Sequence, residues 1–217
     1  LITVVKNINF GCGASPTRGW LNYDNSPSIK IANSPIIYFL LRKLKLLNSS
    51  QIKNIEWNKS NKVLFADATK KLPFTNNEVQ YIYSSHMIEH LSKESAIKFL
   101  KECLRTLSPK GVLRIVIPDL RKLIDSYLEN GDADLFIKES YLVAPPIETL
   151  IDKLKLTFIG YRHHQWMYDS KSLSKILLEI GFGKVIEQKP GHTCMHNYGE
   201  LNLSERSDSS FFLEAIK

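Results

Sequence analysis

The stretch Asn7-Ile8-Asn9-Phe10-Gly11-Cys12-Gly13 decides the fold. It reads as a short apolar strand running into Gly-x-Gly. Glycine lacks a Cβ and tolerates positive φ, so backbone in such a turn approaches a ligand closely. Asp24 stands eleven residues past Gly13 and follows Trp20-Leu21-Asn22-Tyr23, which reads as the next strand. A carboxylate there is placed to accept both hydroxyls of a ribose in charge-assisted hydrogen bonds. Asp67 closes another short apolar stretch, Val63-Leu64-Phe65-Ala66, where it is placed to accept from an exocyclic amine such as that of adenine. Together the two aspartates and the glycine turn suggest a nucleoside cradle.

Further elements follow in order: Gly19-Trp20-Leu21-Asn22-Tyr23-Asp24, Leu72-Pro73-Phe74, the strand Val79-Gln80-Tyr81-Ile82-Tyr83, Ser85-His86-Met87-Ile88-Glu89-His90-Leu91, and Leu107-Ser108-Pro109-Lys110-Gly111-Val112-Leu113. In these residues the chain resembles the class I S-adenosylmethionine-dependent methyltransferases, especially bacterial type 11-like enzymes acting on small molecules and sugars. The resemblance covers residues 6 to 118, with a weaker echo at 166 to 188. It implies a doubly wound, seven-stranded, mostly parallel α/β sheet of Rossmann-like methyltransferase fold with an antiparallel last strand, and S-adenosylmethionine as cofactor. It places Gly11 and Gly13 near the methionine part, Asp24 at the ribose, and Asp67 with Ala68 at the adenine, with Phe10, Cys12 and Ala66 among the cofactor-binding residues. Ser84 and Ser85, at the end of the fourth strand, complete the implied cofactor contacts.

A nicotinamide cofactor also uses a glycine turn and an acidic strand end. Its fingerprint wants a third glycine and a helix whose N-terminus holds the pyrophosphate. Here Pro16 takes the third glycine's place, and only the seven residues Ala14 to Trp20 separate Gly13 from Leu21. Parallel crossovers normally take about a dozen or more. S-adenosylmethionine has no phosphate to hold, so the shortage hurts a methyltransferase less.

At 217 residues and 43% hydrophobic, the chain is long enough for one core, expected as one domain over 1–217 with insertions near 25–62, 119–168 and 189–210. Cys12, Cys103 and Cys194 are far apart and form no CxxC pair, which argues against a disulfide framework or structural zinc. Cysteine usage and the lack of an opening signal segment make a cytoplasmic location the expectation. No apolar run reaches the roughly 18 residues of a membrane span. The balance of 29 basic to 22 acidic residues gives +7, but the lysines look scattered and no RNA-recognition signature is visible, so nucleic acid is an unfavoured partner. Peripheral membrane contact stays open, as does the oligomeric state.

Strands alternate with helices, the pattern of a sheet covered on both faces. Ser92 caps a helix over 93 to 106, Val112 to Ile117 reads as a central strand, and Asp169 caps a helix over 170 to 180 ending at Gly181. Ile36 to Leu47, apolar early and basic late, reads first as the crossover helix after Asp24, with a lid or a membrane-surface helix as alternatives. The three insertions are expected to hold substrate specificity.

If a helix starts after the fourth strand, His86, Glu89 and His90 share one face. In related small-RNA 3′-terminal ribose methyltransferases and ubiquinone-pathway O-methyltransferases, Glu-x-x-Glu-His at this place holds a divalent metal. This chain has His86 in place of the first glutamate, so only Glu89 and His90 carry over. No metal is the expectation, with Glu89 and His90 as the alternative ligands. The methyl group arrives activated, so the protein's task is alignment. An oxygen acceptor additionally benefits from a base, and His86, His90, His163 and His164 are the candidates. Tyr161 to Tyr168 is an aromatic-rich run expected to pack as a lid. Methyl transfer to an oxygen of a small molecule or sugar, such as a surface-polysaccharide precursor, is the expected function. The alternatives are an RNA ribose methyltransferase, a nicotinamide-dependent oxidoreductase, and a non-catalytic S-adenosylmethionine-binding or partner module.

Overall fold

The computed structural model describes residues 6–144 and 163–217. Strands β1 (Lys6–Phe10), β2 (Leu21–Asp24), β3 (Leu64–Phe65), β4 (Val79–Ser85), β5 (Leu107–Pro118), β6 (Lys184–Gln188) and β7 (Ser210–Ile216) form one sheet in the order β3-β2-β1-β4-β5-β7-β6. β1 to β5 run parallel, and β7 is antiparallel to both β5 and β6. This is the doubly wound sheet with an antiparallel last strand that the sequence leads one to expect.

Helix α4 (Lys93–Thr106) starts where Ser92 Oγ accepts from the Ser95 amide, and α7 (Ser170–Ile180) starts in a reciprocal Asp169–Ser172 cap and stops at Gly181 with φ +113°. Phe99, Leu100 and Cys103 of α4 and Leu173 and Leu177 of α7 pack against Ile8, Phe10, Ile82, Leu113 and Ile115. Sequence reading puts β5 at 112–117, yet it begins at Leu107. Residues 108–111 bulge out between the pairs Val79–Leu107 and Tyr81–Val112. Gly111 is required there, because a Cβ would lie 2.8 Å from the Ser108 carbonyl and 2.9 Å from that of Gln80.

The opposite face of the central strands departs from the expectation of helices on both sides. Tyr81, Tyr83, Val112 and Val116 are covered by Trp20 and by Met195, Leu201 and Leu203 from the segment between β6 and β7. A loop laid on a sheet must satisfy its own backbone. Arg114 does part of this: its guanidinium donates to the carbonyls of His192 (2.8 Å) and Leu203 (2.9 Å). Tyr81 accepts from the His196 amide, and Trp20 donates to the Tyr198 carbonyl. The 189–210 insertion is thus largely a cover for the sheet.

The crossover after Asp24 also differs. Helices α1 (Pro27–Ala32), α2 (Pro35–Lys43) and α3 (Ser49–Ser60) occupy it. α1 and α3 pack together and bury Ile29, Ala32, Ile55 and Asn58, whereas α2 buries nothing. The helix read as the crossover is therefore peripheral, and the true crossover helix α3 is too polar along its length to stand out by periodicity. Helices α5 (Leu120–Asn130) and α6 (Ala133–Ser140) follow β5.

No helix joins β1 to β2. The chain instead turns through Ser15 to Trp20, held by side chains. Asn9 donates from Nδ2 to the Ser15 carbonyl (2.9 Å) and to Thr17 Oγ1 (3.1 Å). Asn22 accepts from the Thr17 amide (2.7 Å) and donates to the carbonyls of Thr17 and Trp20. Asn9, Thr17 and Asn22 are all buried, and their side chains take over the satisfaction of backbone groups that a helix would supply.

Candidate active site

β1, β2 and β3 end side by side, and their carboxyl ends open into a cleft of about 780 Å³. Phe10, Gly11, Cys12, Gly13, Asp24, Ala66, Asp67, Ala68 and Ser85 line it. Ser84 does not line it: neighbouring strand residues point to opposite faces, and Ser84 is buried inside β4. Gly11 has φ +74°, and a Cβ there would meet Met87 Cγ at 2.6 Å. Gly13 has φ +49° and no atom within 4 Å of a Cβ position, so the turn is bare on the cleft side.

Asp24 is held from both ends. Its Oδ2 accepts from the Gly13 amide (3.1 Å) and its Oδ1 from the Ser26 amide (2.9 Å). Asp67 is fixed by Thr69, whose amide and hydroxyl both donate to Oδ1 at 2.9 and 2.8 Å. Asp24 pairs in register with Phe65, and the Ala66 amide donates to the Asp24 carbonyl, so both aspartates belong to one cleft. Cys12 packs with Ile29 and Val63, and burial pushes its thiol up to about 12, which makes it an inert small hydrophobe.

The far wall of the cleft is formed by Ser85, His86, Met87, His90 and Leu91, around the 3-10 turn Ile88–His90 that follows β4. Gln165 docks the descending chain onto it: its amide donates to the Glu89 carbonyl (2.7 Å) and its Nε2 to the His90 carbonyl (2.5 Å). The 86–90 and 163–164 histidine groups are thereby brought together, the His90 and His164 rings 5.1 Å apart. Residues 145–162 fall outside the described residues, and so do Tyr161 and Arg162 of the expected lid. From that run Tyr168 is core, and Lys93 lies over the Trp166 ring.

Each histidine has its own setting. His86 sits at φ +48°, its Nε2 2.8 Å from Ser210 Oγ and its Nδ1 3.4 Å from Glu89 Oε1. Burial, helped by Arg206, pushes its pKa down to about 3. His90 Nδ1 lies 3.2 Å from the His163 carbonyl, and His164 Nδ1 lies 2.8 Å from the Ser140 carbonyl. A carbonyl can only accept, so Nδ1 carries the proton in both rings and Nε2 keeps the lone pair. Burial lowers the pKa of each, which keeps both neutral. His163 enters this site through its backbone oxygen, a role that side-chain chemistry does not announce.

A second cleft of about 680 Å³ adjoins the first. His86, His90 and Arg206 line both. The rest of the second wall is mixed: Asp119, Lys122, Ser126, Glu139, Asp208 and Ser209 alternate with Pro118, Leu123, Tyr141, His164 and Met167. Arg206, Gln165 and this second wall escape sequence reasoning, because their residues come from four separate segments.

Glycine turn, paired aspartates and a doubly wound sheet define the class: a methyltransferase that uses S-adenosylmethionine. Residues 9–115, just under half of the chain, match the family model described as a methyltransferase domain. Among solved structures, a SAM-dependent methyltransferase of Thermotoga maritima superposes with a TM-score of 0.51 at 14% identity, covering 98% of this chain and 82% of that one. PigF with SAH gives a TM-score of 0.51 at 13% identity, covering 98% of this chain and 50% of that one. At such identities the likeness is one of fold. Comparison with curated proteins gives no match.

Proposed function

We infer that the acceptor is a hydroxyl oxygen on a small polar molecule of sugar type, seated in the second cleft. The observation that carries this is the shared wall: His86 and His90 face the donor cleft and the acceptor cleft at once. Bound S-adenosylmethionine supplies a methyl group on a sulfonium that leaves readily. The residues fit it, since two oriented aspartates and the bare Gly13 turn line one cleft of suitable size. The chain's own work is to orient and to take a proton. Asp119 and Glu139 offer carboxylate acceptors to several hydroxyls at once, while Lys122 is engaged by the carbonyls of Ser207, Asp208 and Ser210 and holds that wall in place. His90 is the best placed base: its Nε2 would take the proton that the acceptor hydroxyl gives up. Both His86 nitrogens already face partners, and its depressed pKa makes it a weak base. Release of S-adenosylhomocysteine with a panel of sugars, nucleotide sugars and amines tests the assignment. Turnover confined to amines would overturn it.

Glu89 favours a second reading, a divalent cation among Glu89, His90 and His164. One donor atom from each lies within 4.8 Å of the others. Both Glu89 carboxyl oxygens are buried without a hydrogen-bond partner, and burial pushes the group up to about 8. Two neutral imidazoles with their other nitrogens anchored on carbonyls, plus one carboxylate, suit Zn, Mn or Fe. This reading claims the same His90 Nε2 as the base. Metal analysis of the purified protein and melting with and without MnCl₂ decide between them. A cation effect that Glu89→Gln abolishes supports the metal, and no bound metal together with no shift removes it.

A further inference from the structure

Helix α2 presents an extended exposed apolar surface. Ile36, Leu40 and Leu44 follow one another at i, i+4 and i+8, flanked by Ile37 and Phe39, and all five are exposed, Ile36 to 74% and Leu44 to 64%. Only Tyr38 and Leu41 turn partly inward, with the Tyr38 hydroxyl donating to Glu56 at 2.8 Å. Leu46 continues the exposed apolar face beyond the helix.

Charge says what covers this face. From Asn25 to Ile55 the chain has five basic residues, Lys30, Arg42, Lys43, Lys45 and Lys53, and no acidic one; Glu56, just beyond, lies 3.7 Å from Arg42 and leaves Lys43 and Lys45 beside the apolar stripe. Part of the excess that looks scattered along the sequence therefore sits around α2. We propose that α2 docks this protein on an anionic membrane surface, lying in the interface plane with Ile36, Leu40 and Leu44 among the acyl chains and Arg42, Lys43 and Lys45 at the head groups. Nine residues are far too few to span a bilayer, and an apolar stripe beside a basic cluster is the pattern of an interfacial helix. A second copy fits worse, since a two-fold contact sets the basic cluster against itself. A nucleic acid would leave the leucines facing phosphates. α2 is joined through Asn33 and Ser34 to α1, whose Pro27 and Lys30 line the donor cleft. Docking thus brings the cleft mouth beside the membrane, where an acceptor carried on a lipid is within reach. The docking itself does not depend on which acceptor is methylated.

Sedimentation of the full chain with vesicles tests this. Wild type is expected to pellet with phosphatidylcholine–phosphatidylglycerol vesicles, to stay in solution with phosphatidylcholine alone, and to be released as salt rises. Leu40→Asn with Leu44→Asn, both at exposed positions, should weaken binding at least about tenfold without changing the melting temperature. Lys43→Gln with Lys45→Gln should do the same through charge alone. Wild type that ignores anionic vesicles, or binding that survives both pairs of substitutions, overturns the proposal. A vesicle-free dimer that Leu40→Asn with Leu44→Asn dissolves, without anionic-vesicle binding, overturns it in favour of a contact between copies.

Discussion

His90 Nδ1 points at the backbone oxygen of His163 across 3.2 Å, and that one contact sets which ring nitrogen can do chemistry. With Nδ1 protonated, the lone pair is on Nε2. His90→Gln keeps the ring's approximate volume and removes the base. Methyl transfer to a hydroxyl acceptor is expected to fall about 10²- to 10⁴-fold. S-adenosylmethionine affinity, measured by calorimetry, should stay within about threefold, because the cradle for the nucleoside is elsewhere. Equal losses of binding and turnover would make His90 a structural residue.

Asp24 carries two backbone amides as well as the expected ribose contact. Asp24→Ala removes the charge and frees the Gly13 amide, so the turn loses its orientation together with the ligand's acceptor. Cofactor affinity should drop at least about tenfold, the scale of a lost charge-assisted bond. Asp24→Asn should fall between the two, since its one carbonyl oxygen can still take one of those amides. Unchanged calorimetric affinity in both variants would take Asp24 out of the site.

The two glycines of the turn should respond differently. Gly11→Ala drives a methyl into Met87 at 2.6 Å in a left-handed backbone conformation. It should lower folding stability by about 1–3 kcal/mol, the range for overpacking. Gly13→Ala meets no protein atom, and its cost to folding should be about 1 kcal/mol from the backbone alone. Its methyl nevertheless borders the cofactor cleft, so affinity should suffer more than stability. Urea titration beside calorimetry separates these effects, and identical profiles for the two variants would contradict the packing.

What the sequence discloses here is what is local. Gly11, Gly13, Asp24 and Asp67 each sit at a strand end that can be read from its own few residues, and the structure brings them into one cleft. The missing β1–β2 helix is visible as a short connection, but its replacement is not, because Asn9 and Asn22 look like surface residues until they are seen bonded in the core. α3 is hidden by polarity and α2 is mistaken for it, since apolar periodicity reports a face and not what covers it. The acceptor cleft is the least legible part. It combines the 86–90 turn with residues from α5, from around α6 and from 206–209, which no spacing rule joins.

Arg114 and Glu214 oppose each other on β5 and β7, Nη1 to Oε1 at 2.7 Å, and neither side chain is exposed. Arg114→Met leaves a buried carboxylate without its cation and should cost about 3–5 kcal/mol in urea unfolding. Adding Glu214→Leu removes the stranded charge and should restore part of that loss. Full recovery is not expected, because the carbonyls of His192 and Leu203 still lack the donor that covers them. Strictly additive losses would show that the two residues are not coupled.

Acid should destabilise the protein through carboxylates that the fold holds ionised. The Glu78 carboxylate accepts from the Lys6 ammonium, which is the main influence, and from the Thr75 amide and hydroxyl at 2.6 and 2.8 Å, and is held down to about 2. Glu102, bound by Arg105, is shifted the same way. A carboxylate depressed in the folded state stabilises fully above its ordinary value of 4.5 and loses that contribution as pH falls toward 2. The melting temperature should therefore decline over that window. Glu78→Gln should melt lower than wild type at pH 7 and approach it near pH 2, because the wild-type ion pair is by then protonated. A gap between the two proteins that stays constant from neutral pH down to 2 would mean that the Lys6–Glu78 tie between β1 and β4 contributes nothing electrostatic to stability.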